Sequence, residues 1–489
     1  MVWEKTRTEI SFSIFIALTN KTIIIGMLLA CSLSVSAWDW WPLPMAEPDT
    51  CRDTLLYTGG VSALSSSGKT APTWFHMNRY SVVSSLPHSG NIHLGIVKPA
   101  TRPNRWFDYD GAVVLNGRIA GTNDVVKGTG FFEQLYAHVR LYIVDITVGI
   151  QPQWCGLGDP ELSTGGLLFS ANTHPIPRIS IGIDRWTAIP GLYGYAEIRG
   201  GITHGWLEDG NEFVRGAMLH YKYIGGRVGG KFPVNISYEF HHAAQWGGYS
   251  ALYGDLDNSP ATWWRVALGQ GGGTTRNEQL NAQGNHLFSQ QLGLTVKGTG
   301  WHIDAYWQSI NEDGPIRFIG ATMNAKDGRW GVSAEQDVWP FISGMTFEVV
   351  QTTDQSGPWH DKDGMVFGGD DNYYWNSIYL QGWTYFGRTI GSPLLTPANN
   401  RVWAYHAGLK GDIYGFKYRA MCTYADNYGT NQVPLKSHNT AVLLEVKKTV
   451  PQAWGLEFGI ALAGDFGSQY GNQFGAMLSV RKKGIIINW

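Results

Sequence analysis

The chain has 489 residues, with 37 basic side chains against 39 acidic ones, for a formal net charge of −2. That balance excludes the clustered basic face that nucleic-acid binding requires. Only 16% of residues are charged, while 62 Gly, 22 Trp, 23 Tyr and 20 Phe favour many strands and tight turns over a helical core.

Near the N-terminus, Lys21 precedes the apolar run Ile23–Ala30, and small residues follow to Val35-Ser36-Ala37. This pattern reads as a secretory signal over 1–37, cleaved after Ala37, with residues 1–20 as an extension. Leu28-Leu29-Ala30-Cys31 offers a rival reading as a lipoprotein cleavage box. Residues 38–53 then form a short periplasmic segment. Beyond the signal no apolar run reaches the ~18 residues a membrane helix needs. The expectation is an exported chain without a helical span. Cys51, Cys155 and Cys422 remain, too far apart for a metal cluster and odd in number. They are buried or incidental thiols, or Cys51 and Cys155 form a single bridge in an oxidising compartment.

Strand grammar begins near Thr54. Leu135, Ala137, Val139, Leu141 and Ile143 share one face, with Gln134, Tyr136, His138, Arg140 and Tyr142 on the other. The phase then flips to Val144, Ile146, Val148 and Ile150, which demands a tight hairpin or bulge near Ile143. Leu292, Leu294 and Val296 alternate up to a turn at 298–300, followed by Trp301, Ile303, Ala305 and Trp307. Trp403, Tyr405, Ala407 and Leu409 lead to a turn at Gly411-Asp412, then Tyr414, Phe416, Tyr418 and Ala420. At the end, Ile485, Ile487 and Trp489 fall on one face of a last strand. Aromatics gather near strand ends on the apolar faces, and the opposite faces carry His, Lys, Arg and Asp.

Periodicity alone is compatible with a soluble barrel or sandwich whose apolar face points inward. Size and the charged opposite faces argue against that, since no helices are available to cover so large a sheet. A repeat of roughly 25 residues gives about 18 strands in a transmembrane barrel. A barrel of that girth has a wet or plugged lumen. The expected fold is all-β, a single-chain transmembrane antiparallel β-barrel over 54–489. The turns at 298–300 and 411–412 belong on the periplasmic rim. Longer polar segments, 247–289 and 351–374, become outer loops.

The densest stretch runs from 154 to 248. It holds Leu162-Ser163-Thr164-Gly165-Gly166 and Ser170-Ala171-Asn172, then Pro175-Ile176-Pro177-Arg178. His204-Gly205-Trp206, His220-Tyr221-Lys222 and His241-His242-Ala243-Ala244-Gln245-Trp246-Gly247-Gly248 follow. In order and spacing these blocks resemble the Wzi family of outer-membrane capsule-assembly proteins, in a shorter form. The resemblance is specific here and looser from about Thr54 to Trp489. It implies an 18-stranded barrel acting as a surface lectin that helps export or anchor capsular polysaccharide. Two departures matter. The helical bundle that precedes the barrel in better-known members has no counterpart in 38–53. Gln153-Trp154-Cys155-Gly156 also stands where those members resemble Gln-Trp-Trp-Gly, which removes one aromatic.

Read physically, Trp206 and Trp246 can stack on sugar C–H faces, while Asn172, His204, Gln245 and Arg178 can hydrogen-bond hydroxyls or acidic substituents. Arg178 can meet a uronic acid carboxylate through two N–H groups. The plainer alternatives are girdle aromatics for the two tryptophans and a lumen ion pair for Arg178. Gly165, Gly166, Gly247 and Gly248 serve backbone geometry. Adjacent His241 and His242 point to opposite strand faces and cannot share a metal. Asp361, Asp363, Asp370 and Asp371 form a solvated acidic loop without full calcium-ligand spacing. Ser170, Asn172 and His174 share strand parity, but nothing activates Ser170 and no nucleophile elbow is present.

The sequence therefore reads as a non-enzymatic, cofactor-free outer-membrane protein of a diderm bacterium. Its expected partners are capsular or other surface polysaccharide, outer-membrane lipid and the outer-membrane barrel-insertion machinery. The alternative is a diffusion channel for sugars or small solutes.

Overall fold

Alternating strands of this kind must hide their backbone polar groups in lipid, and closing the sheet on itself is how they do so. The computed structural model describes residues 53–100, 106–210, 213–273, 275, 278–279, 282–312, 326–357, 360–362 and 365–488. The expected signal over 1–37, residues 38–52, Cys31, Cys51, Asp363 and Trp489 lie outside them, as does the side chain of Asp361.

Eighteen strands form one closed antiparallel sheet. They are β1 Thr54–Ser66, β2 His88–Lys98, β3 Phe107–Gly121, β4 Val126–Leu141, β5 Val144–Ile150 and β6 Pro177–Ala188. Next come β7 Ala196–Trp206, β8 Met218–Val228, β9 Val234–Trp246, β10 Asn285–Gly298, β11 Trp301–Gln308 and β12 Gly328–Gln336. The rest are β13 Gly344–Gln351, β14 Val402–Ile413, β15 Phe416–Gly429, β16 Pro434–Val450, β17 Leu456–Phe466 and β18 Gln473–Asn488. β1 pairs with β18 from Thr54↔Asn488 to Ser66↔Gly475, which closes the ring.

The wall is apolar outside and polar inside. Ile92, Leu94 and Ile96 of β2 and Ile460 and Leu462 of β17 are exposed on the outer face. Asn116, Asp145, Glu239 and Glu445 are buried within. That inversion of the soluble pattern is what a lipid-facing barrel needs. Of the eight connections at the end that holds 142–143 and 414–415, all but 299–300 carry an exposed aromatic, among them Trp106, Tyr142, Tyr193, Trp339, Tyr414 and Trp454. These form a girdle at the short-turn end.

The phase flip near Ile143 is a hairpin in which Leu141 pairs with Val144 and Tyr142 takes φ 58°. The turn expected at 411–412 lies further on. Gly411 and Asp412 still pair, with Tyr418 and Lys417, and the chain reverses at Tyr414-Gly415, where φ is 54° and 80°. Two positive φ values suit a two-residue hairpin turn, and the Asp412 carboxylate accepts from the Gly415 N–H at 2.6 Å. The last strand departs from strict alternation too. A register shift skips Ile486, so Ile485, Ile486 and Ile487 are all exposed.

At the opposite end most connections are longer, although 122–125, 430–433 and 467–472 are short. The strand expected around 170–174 is irregular loop, part of the connection 151–176. The loop expected over 351–374 runs over 352–401, and the one from 247 ends where β10 begins at Asn285. The barrel is also not helix-free. α1 (Thr73–His76) lies in the β1–β2 connection. α2 (Pro260–Leu268) starts on a Ser259 hydroxyl that accepts from the Thr262 N–H and stops at Gly269 in the left-handed region. Ser259 before the helix, Pro260 at its first position and Gly269 after it are ordinary start and stop signals that strand periodicity conceals. No helix among the described residues is long and apolar enough to cross a membrane.

Three connections, 67–87, 151–176 and 352–401, fold into the barrel. Leu167, Leu168, Phe169, Tyr373, Tyr374, Tyr379 and Trp383 form one buried cluster with Leu219, Tyr221, Leu287 and Val402 of the wall. Trp74 and Phe75 of α1 form another with Met421, Ala441, Leu443 and Ala461. These aromatics fill space between wall and loops, so the long-loop half of the lumen is packed like a protein core.

Candidate functional site

The inward loops are held by buried polar contacts. Glu348 on β13 and Arg329 on β12 make an ion pair of 3.0 Å without exposed surface. Glu348 also accepts from the Ser163 hydroxyl at 2.7 Å, the Thr164 N–H at 2.7 Å and the Tyr306 hydroxyl at 2.6 Å. The Leu-Ser-Thr-Gly-Gly stretch is thus a docking tongue whose polar groups satisfy a wall charge. At Gly166 an added Cβ would lie 1.9 Å from the Cys155 carbonyl oxygen, so no larger residue fits there. Loop binds loop in turn. The Trp383 indole N–H donates to the Leu168 carbonyl at 2.8 Å and the Ser170 N–H to the Ile390 carbonyl at 2.9 Å.

The six residues expected to bind ligand fall on both sides of the wall. Asn172 is buried, and its amide donates to the Thr389 carbonyl at 3.0 Å and hydroxyl at 3.1 Å. Arg178 is buried as well, and its guanidinium donates to the Gln151 backbone carbonyl at 2.6 Å and side-chain Oε1 at 3.2 Å. Gln245 is fully buried and accepts from the Asn285 amide at 2.8 Å. The other three face outward. Trp206 is 41% exposed on the face it shares with Ile198, as a girdle aromatic would be. His204 lies edge-on to Trp206 at 4.9 Å and to Trp246 at 6.0 Å. Trp246 is buried against Ala244 and Val266, the latter on α2. His204, Trp206 and Trp246 therefore come together, while Asn172, Arg178 and Gln245 hold loops and strands inside.

His241 and His242 do point apart. His241 Nδ1 faces the Tyr221 hydroxyl inside at 2.9 Å, and His242 stacks outside on Phe288 at 4.5 Å. α2 lies over this outer patch. Trp263 meets His220 edge-on at 5.3 Å, and Lys222 Nζ donates to the Ala267 carbonyl.

A different set of groups lies at the mouth, where the β3–β4 hairpin meets the 384–389 hairpin. His174 is edge-on to Phe131 at 4.6 Å and to Phe386 at 5.2 Å. Phe386 is 51% exposed and is held at φ 51° while its N–H donates to Asp209 at 2.9 Å. A bulky residue in the left-handed region is strained and persists only where its surroundings fix it. Arg118 lies over the Phe131 ring at 5.2 Å and donates to the Ser81 carbonyl at 2.6 Å. Arg388 donates to the His76 carbonyl at 2.6 Å and the Val83 carbonyl at 3.1 Å. Burial, then Arg118 and Arg388, pushes His174 down to about 4, so it is neutral at pH 7. The cleft presents aromatic faces, an uncharged imidazole and two cations, the chemistry that grips a sugar ring and its polar substituents. Sequence reading missed Phe131, Phe386, Arg118 and Arg388, because they come from distant segments and match no local motif.

No family model matches the chain, and no curated protein matches it. Among solved structures, it is similar to Wzi of Escherichia coli, described as an outer-membrane protein involved in group 1 capsule assembly and a carbohydrate-binding β-barrel. Identity is 16% over 87% of this chain and 84% of that one, with a TM-score of 0.58. OccAB4 of Acinetobacter baumannii matches at 11% identity over 90% and 100% of the two chains, with a TM-score of 0.46. OprD of Pseudomonas aeruginosa matches at 13% over 89% and 96%, with a TM-score of 0.43. The chain thus has a Wzi-like barrel fold.

Proposed function

We propose that this protein is a non-enzymatic outer-membrane lectin that binds surface polysaccharide at its extracellular mouth and helps assemble or anchor a capsule. One observation carries the reading: the barrel is filled from the long-loop end by its own buried loops, while the Phe386 ring stays exposed beside the half-buried Arg118 and Arg388. A channel needs a continuous wet path through that half, whereas a binding platform needs a rigid floor. Short turns are the usual mark of the periplasmic end and long loops of the outer one, which supports a cleft that faces the cell surface. The likeness to Wzi, itself described as carbohydrate-binding, supports the same reading. Trp206, at the outer rim, extends the aromatic surface. Asn172 and Arg178 contribute by fixing the loops beneath the cleft.

Purified protein in planar bilayers should be electrically silent and should bind the host's own polysaccharide. Steady conductance without glycan binding would establish the diffusion-channel alternative instead. In the cell, deletion should release polysaccharide into the medium while synthesis continues. Unchanged cell-bound polysaccharide would refute the anchoring role.

A further inference from the structure

Arg118 and Arg388 reach the same short segment from two sides. Arg118 donates to the carbonyls of Ser81 and Val82, and Arg388 to those of His76 and Val83. Neither guanidinium has a carboxylate within ion-pairing reach among the described residues. Nε and Nη2 of Arg118 and Nε of Arg388 make no hydrogen bond there. Acidic groups of adjoining segments are engaged elsewhere: Asp209 accepts from the Phe386 N–H at 2.9 Å, and Glu133 from the Asn116 amide at 3.2 Å.

Five other interior arginines have carboxylate partners, while buried Arg178 stands alone and clamps only Gln151. Arg329 pairs with Glu348 at 3.0 Å, Arg199 with Glu239 at 2.5 Å, Arg79 and Arg419 both with Glu445, and Arg140 with Asp145 at 2.7 Å. Two half-buried cations side by side without a counter-charge are costly, because each loses hydration and repels the other. Carbonyl clamping explains the bonds to 76–83, yet neutral donors would clamp without that repulsion. The cost is recovered if an anion enters the cleft. Guanidinium N–H groups match a carboxylate's two oxygens, and the exposed Phe386 ring offers a flat apolar face beside them.

We infer that the Arg118–Arg388 cleft is an anion site that takes the carboxylate of an acidic sugar residue, with the pyranose ring against Phe386. This rests on the lectin reading and narrows its ligand to an acidic polysaccharide. Inorganic anions share the charge but not the ring, so they serve as the discriminating probe.

The test uses the full chain in detergent, with a glucuronic-acid oligosaccharide, its carboxyl-reduced counterpart and inorganic sulfate. The acidic oligosaccharide should bind at least tenfold more tightly than the reduced one. The double variant Arg118→Gln/Arg388→Gln should lose that preference and bind the acidic and reduced forms with equal affinity. Heat-modifiable electrophoretic mobility checks that the variant barrel is folded, and Arg388→Lys, which keeps the charge, should retain most of the binding. Equal binding of the acidic and reduced forms, or full acidic binding by the double variant, would overturn the anion site but leave the lectin. If no polysaccharide binds, the lectin reading fails. Sulfate then decides the anion site separately, by raising the thermal midpoint of the parent and not of the double variant. Stabilisation by sulfate with no affinity for the uronate would overturn the acidic-sugar assignment.

Discussion

Arg329 and Glu348 sit 3.0 Å apart on neighbouring strands with no surface exposed, and the tongue carrying Ser163 and Thr164 closes over them. The pair thus ties wall to plug. Removing one partner from such a pair leaves an uncompensated buried charge, at a cost of about 3–5 kcal/mol. Glu348→Ala should therefore loosen 162–168 rather than simply lower stability. Current through planar bilayers is the measure: the variant should show flickering conductance where the parent should be silent. A quiet Glu348→Ala barrel would mean that the aromatic cluster alone holds the plug.

α2 lies against the outer face of β8 and β9, with Trp263 and Val266 turned to the wall. Trp264 and Leu268 point the other way and are 61% and 59% exposed. An amphipathic helix on a lipid-facing wall places its outer residues at the membrane interface. A nitroxide at Trp264→Cys, with Cys422→Ser to remove the exposed thiol, should be more accessible to oxygen than to a water-soluble relaxant. The reverse order would put α2 in water.

Cys155 is a buried free thiol beneath the tongue, 3.6 Å from His241 Nδ1 and 3.3 Å from Gln291 Nε2. Burial, reinforced by Glu239, pushes it up to about 11, so almost no thiolate exists at pH 7. A water-soluble maleimide should leave Cys155 intact for hours in the folded barrel and label it fully in denaturant. Rapid labelling under native conditions, read by mass, would show that the plug opens.

Strand number, wall polarity and the hairpin at Tyr142 were legible because each depends on alternation between neighbours in sequence. The turn at Tyr414-Gly415 was misplaced because Gly411-Asp412 has equal turn chemistry, and only pairing with Lys417 and Tyr418 decides between them. The block from Leu162 to Arg178 was recognisable, but which of its side chains hold the loops was not. Polar, Gly-rich segments look alike whether they bind a ligand or fill a lumen, and Asn172 and Arg178 proved to be bonded to Thr389 and Gln151. The mouth cleft was invisible, since Arg118, Phe131, His174 and Phe386 meet only after the barrel closes and the loops fold inward.

His174 gives this cleft a pH signature. Folded, it titrates near 4, depressed by burial and then by Arg118 and Arg388, against 6.5 in the unfolded chain. Between pH 6.5 and 4 the unfolded chain holds a proton that the folded one refuses, so stability falls as pH drops through that window. His174→Gln, still able to pack between Phe131 and Phe386, should remove that part of the acid sensitivity, on the order of 1 kcal/mol once solvent screening is allowed for. In thermal melts at pH 7 and pH 4.5 the parent should lose roughly 1–2 °C more than the variant. A bound anion reverses the argument. By neutralising Arg118 and Arg388 it raises the His174 pKa, so binding at pH 5.5 should take up protons. Calorimetry in two buffers of different ionisation enthalpy reads that uptake, and His174→Gln should abolish it. Proton release in the parent, or uptake undiminished in the variant, would remove His174 from the site.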